Sequence, residues 1–405
     1  MNVQLDQLQP GHPPAVVLGL GQNGLATVRS LGRLGIPVIG IDRNVKQMTA
    51  RTRYCQKIQL SGPIDGEELI SVLVDLGKRL PQRGVLFPSG DGALYNLSEN
   101  RERLEAYYHF SFPAKEIVKL TLDKKKFYRF AAEHDIAIPI SYFPEGVDDC
   151  RRIAEAIVYP CLIKPYQPSL GWRQHFPDHK LFRVNDAAEL LRCYENVFKV
   201  CPDLIVQEII PGRDSNLSFS LTYFDSNGRP LGMFTGRKIR QYPPNFGTSS
   251  LAESHLDEDI AEKTIAILTG MRYTGYGSIE FKWDPRTCEF KAIEVTARTW
   301  FPHGIATACG LNLLQMAYCD LVGLPVPADD GFAEGVKWIH EDRDLRSALQ
   351  QMRSGDLGVG EWLKSYRGRR TYALAALDDP GPAMNFLGRL IAIPWQRAVK
   401  YFGGG

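Results

Sequence analysis

"YGSIEFKWDPRTCEFKAIEVTARTW", Tyr276–Trp300, is the stretch on which the reading of this chain turns. Asp284-Pro285-Arg286-Thr287 is a turn signal between two alternating runs, so the segment is expected to form an antiparallel hairpin centred near Thr287. In that register Glu280 lies opposite Glu294, with both side chains on one face. Like charges directly opposite destabilise a ladder. A chain accommodates them where a cation sits between them or one acid keeps its proton. Two facing carboxylates suit Mg²⁺, which binds one or two carboxylates together with substrate phosphates. The ordinary alternative is a pair of solvated glutamates on an exposed sheet face.

Upstream segments supply cations. Lys164 closes the apolar strand "PCLIK", so its stem follows the core strand and its ammonium reaches the strand edge, where a phosphate could meet it. Lys124 lies in "LTLDKKKFY", a basic helix start; cations there oppose the helix dipole, and a bound polyanion would account for them. Simple snorkelling and a solvated charge run are the ordinary alternatives. "VQEIIPG", Val206–Gly212, reads as a strand ending at a glycine turn; an adenine could bond along its backbone, with Glu208 facing the amino group. "GRKIRQYPPNFGTSS" gathers Arg237, Lys238 and Arg240 before a Pro-Pro-Asn-Phe-Gly loop, which suits an anionic substrate or transition state, or else a solvated loop.

The N-terminal part, taken alone, points elsewhere. "VVLGLGQNGLATVRSLGRLGIPVIGID", Val16–Asp42, carries G-x-G-x-x-G at Gly19, Gly21 and Gly24, with Asp42 ending a second strand: on paper a dinucleotide-binding fingerprint. Residues 15–110 alternate strand and helix as a small doubly wound α/β domain. Beyond it an α+β pattern follows: a helix stopping before Pro139, the strand "YPCLIKPY", an irregular loop "QPSLGWRQHFPDHK", a helix capped by Asp186, a hairpin around Asp225 and a helix over about 257–270.

The bulk properties are those of an ordinary globular chain: 405 residues, 23% charged, net charge +2, with no demand for nucleic acid or an acidic partner. Eight cysteines without a C-x-x-C argue against zinc and fit a reducing, cytoplasmic setting. The polar, Pro-rich start is not a signal peptide, and no apolar run approaches ~18 residues. "FLGRLIAIPW" near the end reads as a docked tail helix, with a peripheral membrane contact as its alternative.

Taken in order, the Gly-rich first turn, "DKKKFYRFAAEHDIAIP", "YPCLIKP", "VQEIIPG", "GRKIRQYPPNFGTSSLAES", "GYGSIEFKWD" and "IEVTARTW" resemble the ATP-grasp superfamily, in its D-aspartate ligase-like carboxylate–amine ligases. The resemblance implies a Rossmann-like pre-ATP-grasp domain over 1–112, an ATP-grasp lid lobe over 113–205, a second lobe with the metal and substrate site over 206–330, and a C-terminal extension over 331–405. It implies ATP with Mg²⁺, Mn²⁺ as a substitute, small-molecule acid and amine substrates, and leaves a homodimer open. By position, Lys124 and Lys164 would contact the ATP phosphates, and the segment around Ser169, Leu170 and Gly171 would close over the triphosphate. Gln207, Glu208 and the Ile209 and Ile210 backbone would hold adenine, and Asp214 the ribose. Glu280 and Glu294 would hold Mg²⁺, Arg298 would neutralise the transferring phosphoryl group, and Arg237, Lys238 and Arg240 would face the acyl substrate.

One position departs from the pattern. The family motif after the second glutamate is E-x-N-x-R; here it is "EVTAR", with Thr296 in the asparagine place. A threonine hydroxyl ligates Mg²⁺ in P-loops, but it is shorter than an asparagine carbonyl. The implied reaction is ATP-driven amide formation through an acyl phosphate. Its rivals are an NAD(P)-dependent oxidoreductase, resting on Gly19–Gly24 alone, and a catalytically degenerate ATP-binding module, resting on Thr296.

Overall fold

The computed structural model describes residues 12–167 and 169–392. Three sheets organise it. The first contains β1 (Ala15–Leu18), β2 (Val38–Asp42), β3 (Gln56–Gln59), β4 (Gly84–Pro88) and β5 (Tyr108–Phe110), all parallel in the order β3-β2-β1-β4-β5. β1 and β4 are buried throughout, as parallel strands covered by helices on both faces must be. Gly19 has φ +93°, and a Cβ on Gly24 would lie 1.9 Å from the Gly19 carbonyl oxygen, so glycine is required at both for β1 to turn into the helix Gln22–Gly32. Asp42 is spent on this turn: its Oδ2 accepts the Leu20 amide at 2.5 Å and its Oδ1 the Asn44 amide at 2.8 Å. The acid that a dinucleotide reading assigns to a ribose is thus a loop anchor.

The second sheet contains β6 (Ser141–Tyr142), β7 (Cys161–Pro165), β8 (Phe182–Val184) and β9 (Leu204–Glu208), antiparallel in the order β6-β9-β7-β8. With the helices Val147–Ala156 and Ala187–Phe198 it encloses its own core of Cys150, Cys161, Leu190, Tyr194 and Val206. Asp186 caps the second helix by accepting the Glu189 amide at 2.8 Å. Two expectations change here. The lobe boundary drawn between 205 and 206 falls inside β9, so this sheet runs on to Glu208. The loop expected around Ser169 and Gly171 contains the helix Leu170–His175, N-capped where Ser169 Oγ accepts the Trp172 amide at 3.1 Å. Trp172 is buried in this core, and a Cβ on Gly171 would lie 2.1 Å from the Val200 carbonyl oxygen. Both residues therefore have local packing duties that a freely closing loop would not need.

The third sheet is the largest: β10 (Leu217–Phe224), β11 (Pro230–Tyr242), β12 (Thr248–Ser254), β13 (Gly275–Asp284), β14 (Glu289–Thr296), β15 (Lys337–Ile339) and β16 (Arg370–Tyr372), in the order β14-β13-β10-β11-β12-β15-β16. Only β15 and β16 pair in parallel. The C-terminal extension from 331 onward thus extends this sheet, and its helix Glu341–Ser354 packs beside β11 and β12. It also reaches the first domain through a buried ion pair, Arg29 Nε to Asp379 Oδ2 at 2.9 Å. The helix Gly381–Ala392 takes in the first part of "FLGRLIAIPW"; the rest of that stretch, like residues 1–11, lies outside the described residues. No helix among the described residues is long and apolar enough to cross a membrane. All eight cysteines are free thiols.

Candidate active site

β13 and β14 set Glu280 and Glu294 opposite each other, as the sequence suggested. The ladder nearer the turn runs in another register, with Asp284 opposite Glu289 and Phe281 opposite Ala292. Continued unbroken, it would put Glu280 against Ile293 and send Glu294 to the far face. A β-bulge at Ile293 supplies the extra residue and brings Glu294 back to the face of Glu280. The bulge is held from outside: the Tyr128 hydroxyl donates to the Ile293 carbonyl at 3.0 Å, and the Ala292 amide donates to the Ala137 carbonyl at 2.8 Å.

One ammonium answers each carboxylate. Lys124 Nζ donates to Glu294 Oε1 at 3.2 Å, and Lys238 Nζ to Glu280 Oε2 at 2.5 Å. The Lys124 charge holds the Glu294 carboxyl down at about 2 against the opposing effect of burial, and Glu294 in turn raises Lys124. Lys238 is buried, donates also to Gln241 Oε1 at 3.2 Å, and sits 5.6 Å above the Trp300 ring. Lys164 Nζ donates to Gln207 Oε1 at 2.9 Å, and Gln207 Nε2 donates to Tyr128 Oη at 2.9 Å. A chain of hydrogen bonds therefore runs from the lid lysine through Gln207 and Tyr128 to the bulge carbonyl. Burial, then the Lys124 charge, pulls Lys164 down to about 8.

Two neighbouring clefts open on these groups. One, of about 210 Å³, is lined by Lys124, Glu294, Thr296 and Asp91. The other, of about 160 Å³, is lined by Gln207, Ile209, Ile210, Phe246 and Glu280 and offers apolar walls with backbone edges. Arg298 Nε pairs with Asp91 Oδ1 at 2.5 Å, which keeps its guanidinium near Glu294, whose carboxyl it also helps hold down. Glu280, Glu294 and the Thr296 hydroxyl are hard oxygen donors of the kind Mg²⁺ takes. Among the described residues no group of three His, Cys, Asp or Glu side chains gathers, so a cation here would depend on phosphate oxygens and water for the rest of its shell.

Four side chains have other work than the family positions imply. The Glu208 carboxylate accepts from the Ile140 amide at 2.9 Å, Lys291 Nζ at 3.0 Å and Arg286 Nη2 at 2.6 Å. The carboxylate thus belongs to a buried cluster with Asp284, Arg286 and Lys291. Asp214 accepts from Gln241 Nε2 at 2.8 Å and from the Gln241 and Asn245 amides at 3.1 and 3.2 Å, so it pins the loop after β11. Arg240, 3% exposed, is held in a two-point pair with the fully buried Asp344 at 2.9 and 2.7 Å. A bulge between Lys238 and Arg240 turns it toward the helix Glu341–Ser354 rather than toward Glu280. Arg237, one step from Lys238 on β11 and so on its opposite face, pairs with Glu253 at 2.8 Å.

Sequence reasoning missed Tyr128, Lys180, Gln241, Asp91 and Arg343. Lys180 is buried enough, and near enough to Arg343 and Lys238, for its ammonium to be pulled below the ordinary lysine range, with Glu294 and Glu280 opposing. Tyr128 and Gln241 lie inside the motifs "DKKKFYRFAAEHDIAIP" and "GRKIRQYPPNFGTSSLAES", where the neighbouring cations drew the reading; Asp91, Lys180 and Arg343 lie in none of the family motifs. Arg343 sits in "HEDRDLRS", which has the composition of a solvated helix start.

No family model matches the chain. It is 23% identical over 290 residues to the D-aspartate ligase of Enterococcus faecium, an alignment covering 67% of this chain and 68% of that one. The fold is similar to that of an ADP complex of N5-carboxyaminoimidazole ribonucleotide synthetase, with a TM-score of 0.65 at 11% identity over 85% of this chain and 86% of that one. It is also similar to the biotin carboxylase domain dimer of Hydrogenobacter thermophilus 2-oxoglutarate carboxylase in complex with MgADP, ADP and bicarbonate, with a TM-score of 0.61 at 16% identity over 80% and 73%. The parallel first domain, the lid sheet and the large sheet with its paired glutamates agree with these likenesses: the chain has an ATP-grasp fold, and its sequence is similar to that of D-aspartate ligase.

Proposed function

We propose that the protein joins a carboxylate to an amine at the expense of ATP, through an acyl phosphate, releasing ADP and phosphate. The single observation that carries this reading is the bulge-dependent pairing of Glu280 with Glu294, each neutralised by its own lysine. Glu280 and Glu294, with Thr296 beside them, would hold Mg²⁺, which supplies charge neutralisation between the phosphates. Lys124 and Lys164 bind the polyphosphate; Lys164 takes up a proton as phosphate approaches, which restores the charge that burial removes. The Ile209 and Ile210 backbone orients the base. An oxygen of the substrate carboxylate attacks the γ-phosphorus and the bond to ADP breaks; the amine then attacks the acyl carbon and the carbon–oxygen bond to phosphate breaks. Lys238, fixed between Glu280 and Gln241, and Arg298, fixed by Asp91, stabilise the negative charge passing between these groups.

The likeness to D-aspartate ligase makes amino-acid carboxylates the first acids to test. Hydroxylamine replaces the amine: with Mg·ATP and a panel of acids, a hydroxamate and ADP should form together. ADP release that depends on no acid, with no hydroxamate from any, refutes the reading.

A further inference from the structure

We propose that the helix Gly381–Ala392, together with the basic segment 43–57 against which it packs, is a docking face for an anionic lipid surface. The protein lies on such a surface through this face and does not span it, and the inference does not depend on the ligase reading above.

The helix is clamped at its start. Asp379 is buried in its pair with Arg29 at 2.9 Å, and its Oδ1 accepts the Arg53 amide at 3.0 Å. Asp378 is taken by Arg33 at 2.7 Å and by the Tyr54 hydroxyl at 2.7 Å. A Cβ on Gly381 would lie 2.4 Å from the Arg51 carbonyl oxygen, so the first turn of the helix sits directly against the turn Met48–Arg51 of the first domain. Pro382 is buried there. Met384 and Leu387, one turn apart on the other side of the helix, are 66% and 55% exposed, and Leu377, on the approach to the helix, is fully exposed. A single exposed apolar side chain is ordinary, whereas a run of three on one clamped segment marks a contact surface.

The charge around this face is of one sign. Arg43, Lys46, Arg51, Arg53 and Lys57 are all exposed, and none makes an ion pair among the described residues. Lys57 Nζ donates to the Thr52 carbonyl at 2.9 Å, which keeps it on the same loop. No Asp or Glu occurs between Asp42 and Asp65, and Asp42 is spent on the Leu20 and Asn44 amides. The sequence from 380 to 405 holds Arg389, Arg397 and Lys400 without one acid, together with Phe386, Trp395, Tyr401 and Phe402; its positions beyond Ala392 lie outside the described residues. Cations beside apolar and aromatic side chains suit the interface of an anionic bilayer, where headgroups answer the charges and acyl chains receive the apolar groups. A second copy of the chain would bring like charges together on this face, and a nucleic acid would leave Met384 and Leu387 without an apolar partner.

The test is co-sedimentation of the full chain with vesicles of phosphatidylcholine alone and of equimolar phosphatidylcholine and phosphatidylglycerol. Binding to the anionic vesicles should be at least tenfold tighter and should weaken as salt is raised. Met384→Glu with Leu387→Glu should lower it at least tenfold. Arg51→Glu with Arg53→Glu should do the same and also flatten the salt dependence. Melting temperatures should stay within about 2 °C of the parent, because all four side chains are exposed. No preference for anionic vesicles, or a preference unchanged in either double variant, overturns the inference. Tighter binding to duplex DNA than to the vesicles in competition would also overturn it, by making the face a nucleic-acid site. So would a dimer in solution that Met384→Glu with Leu387→Glu dissociates, by making the face a contact between copies.

Discussion

Glu294 stands opposite Glu280 because one residue, Ile293, is bulged out of β14, and the hydroxyl of Tyr128 holds that bulge through the Ile293 carbonyl at 3.0 Å. Tyr128→Phe removes this bond and the acceptor of Gln207 Nε2 together. The expected loss of stability is about 1–2 kcal/mol. Turnover should fall more than stability implies, with a higher Mg²⁺ requirement, because the misplaced group is a carboxylate of the pair. Melting temperature and the Mg²⁺ dependence of ADP release check this; an unchanged Mg²⁺ dependence would deny the link.

Thr296 is the substituted metal position. Thr296→Asn lengthens the donor within the same cleft as Glu294 and Lys124. It should retain or raise Mg²⁺ affinity, measured by titrating Mg²⁺ against ADP release at fixed ATP. A clear loss would mean that Thr296 does not occupy a ligand position.

Lys164 gives a pH signature. Its folded value of about 8 lies below the ordinary 10.5, so between those values the unfolded chain holds more protons, and this group makes stability rise with pH across that window. Below pH 8 the buried charge is a cost. Lys164→Met should therefore stabilise the nucleotide-free protein at pH 7, by a net amount on the order of 1 kcal/mol after the lost bond to Gln207. It should also weaken Mg·ATP binding at least tenfold. In the unaltered protein, nucleotide affinity should decline as pH rises past 8, and this decline should be absent in the variant. A lower melting temperature for Lys164→Met, or a flat profile in the parent, contradicts the assignment.

Arg240 separates a structural from a substrate role. Removing one partner of a buried pair typically costs about 3–5 kcal/mol, so Arg240→Met should lower the melting temperature sharply. Protein that remains folded at low temperature should keep its acid KM within a few-fold. A large rise in KM at unchanged stability would return Arg240 to the substrate pocket.

Local patterns told most of the fold. The alternating strand–helix period, the Asp186 cap and the turn residues at 284–287 act over a few positions, and the structure agrees with each. The carboxylate pair was legible because the turn centred the hairpin near Thr287, although the register that makes it true depends on a bulge that no residue type announces. The contacts of Glu208, Asp214 and Arg240 were not legible because their partners Arg286, Gln241 and Asp344 meet them only through tertiary pairing.

The acyl-phosphate claim is tested most directly by oxygen transfer. An acid that yields hydroxamate is prepared with both carboxylate oxygens as ¹⁸O and turned over with Mg·ATP and an amine. The account predicts one ¹⁸O atom in the phosphate released, in equal amount with ADP, and none of this with Glu294→Gln. Amide formation with unlabelled phosphate would contradict it.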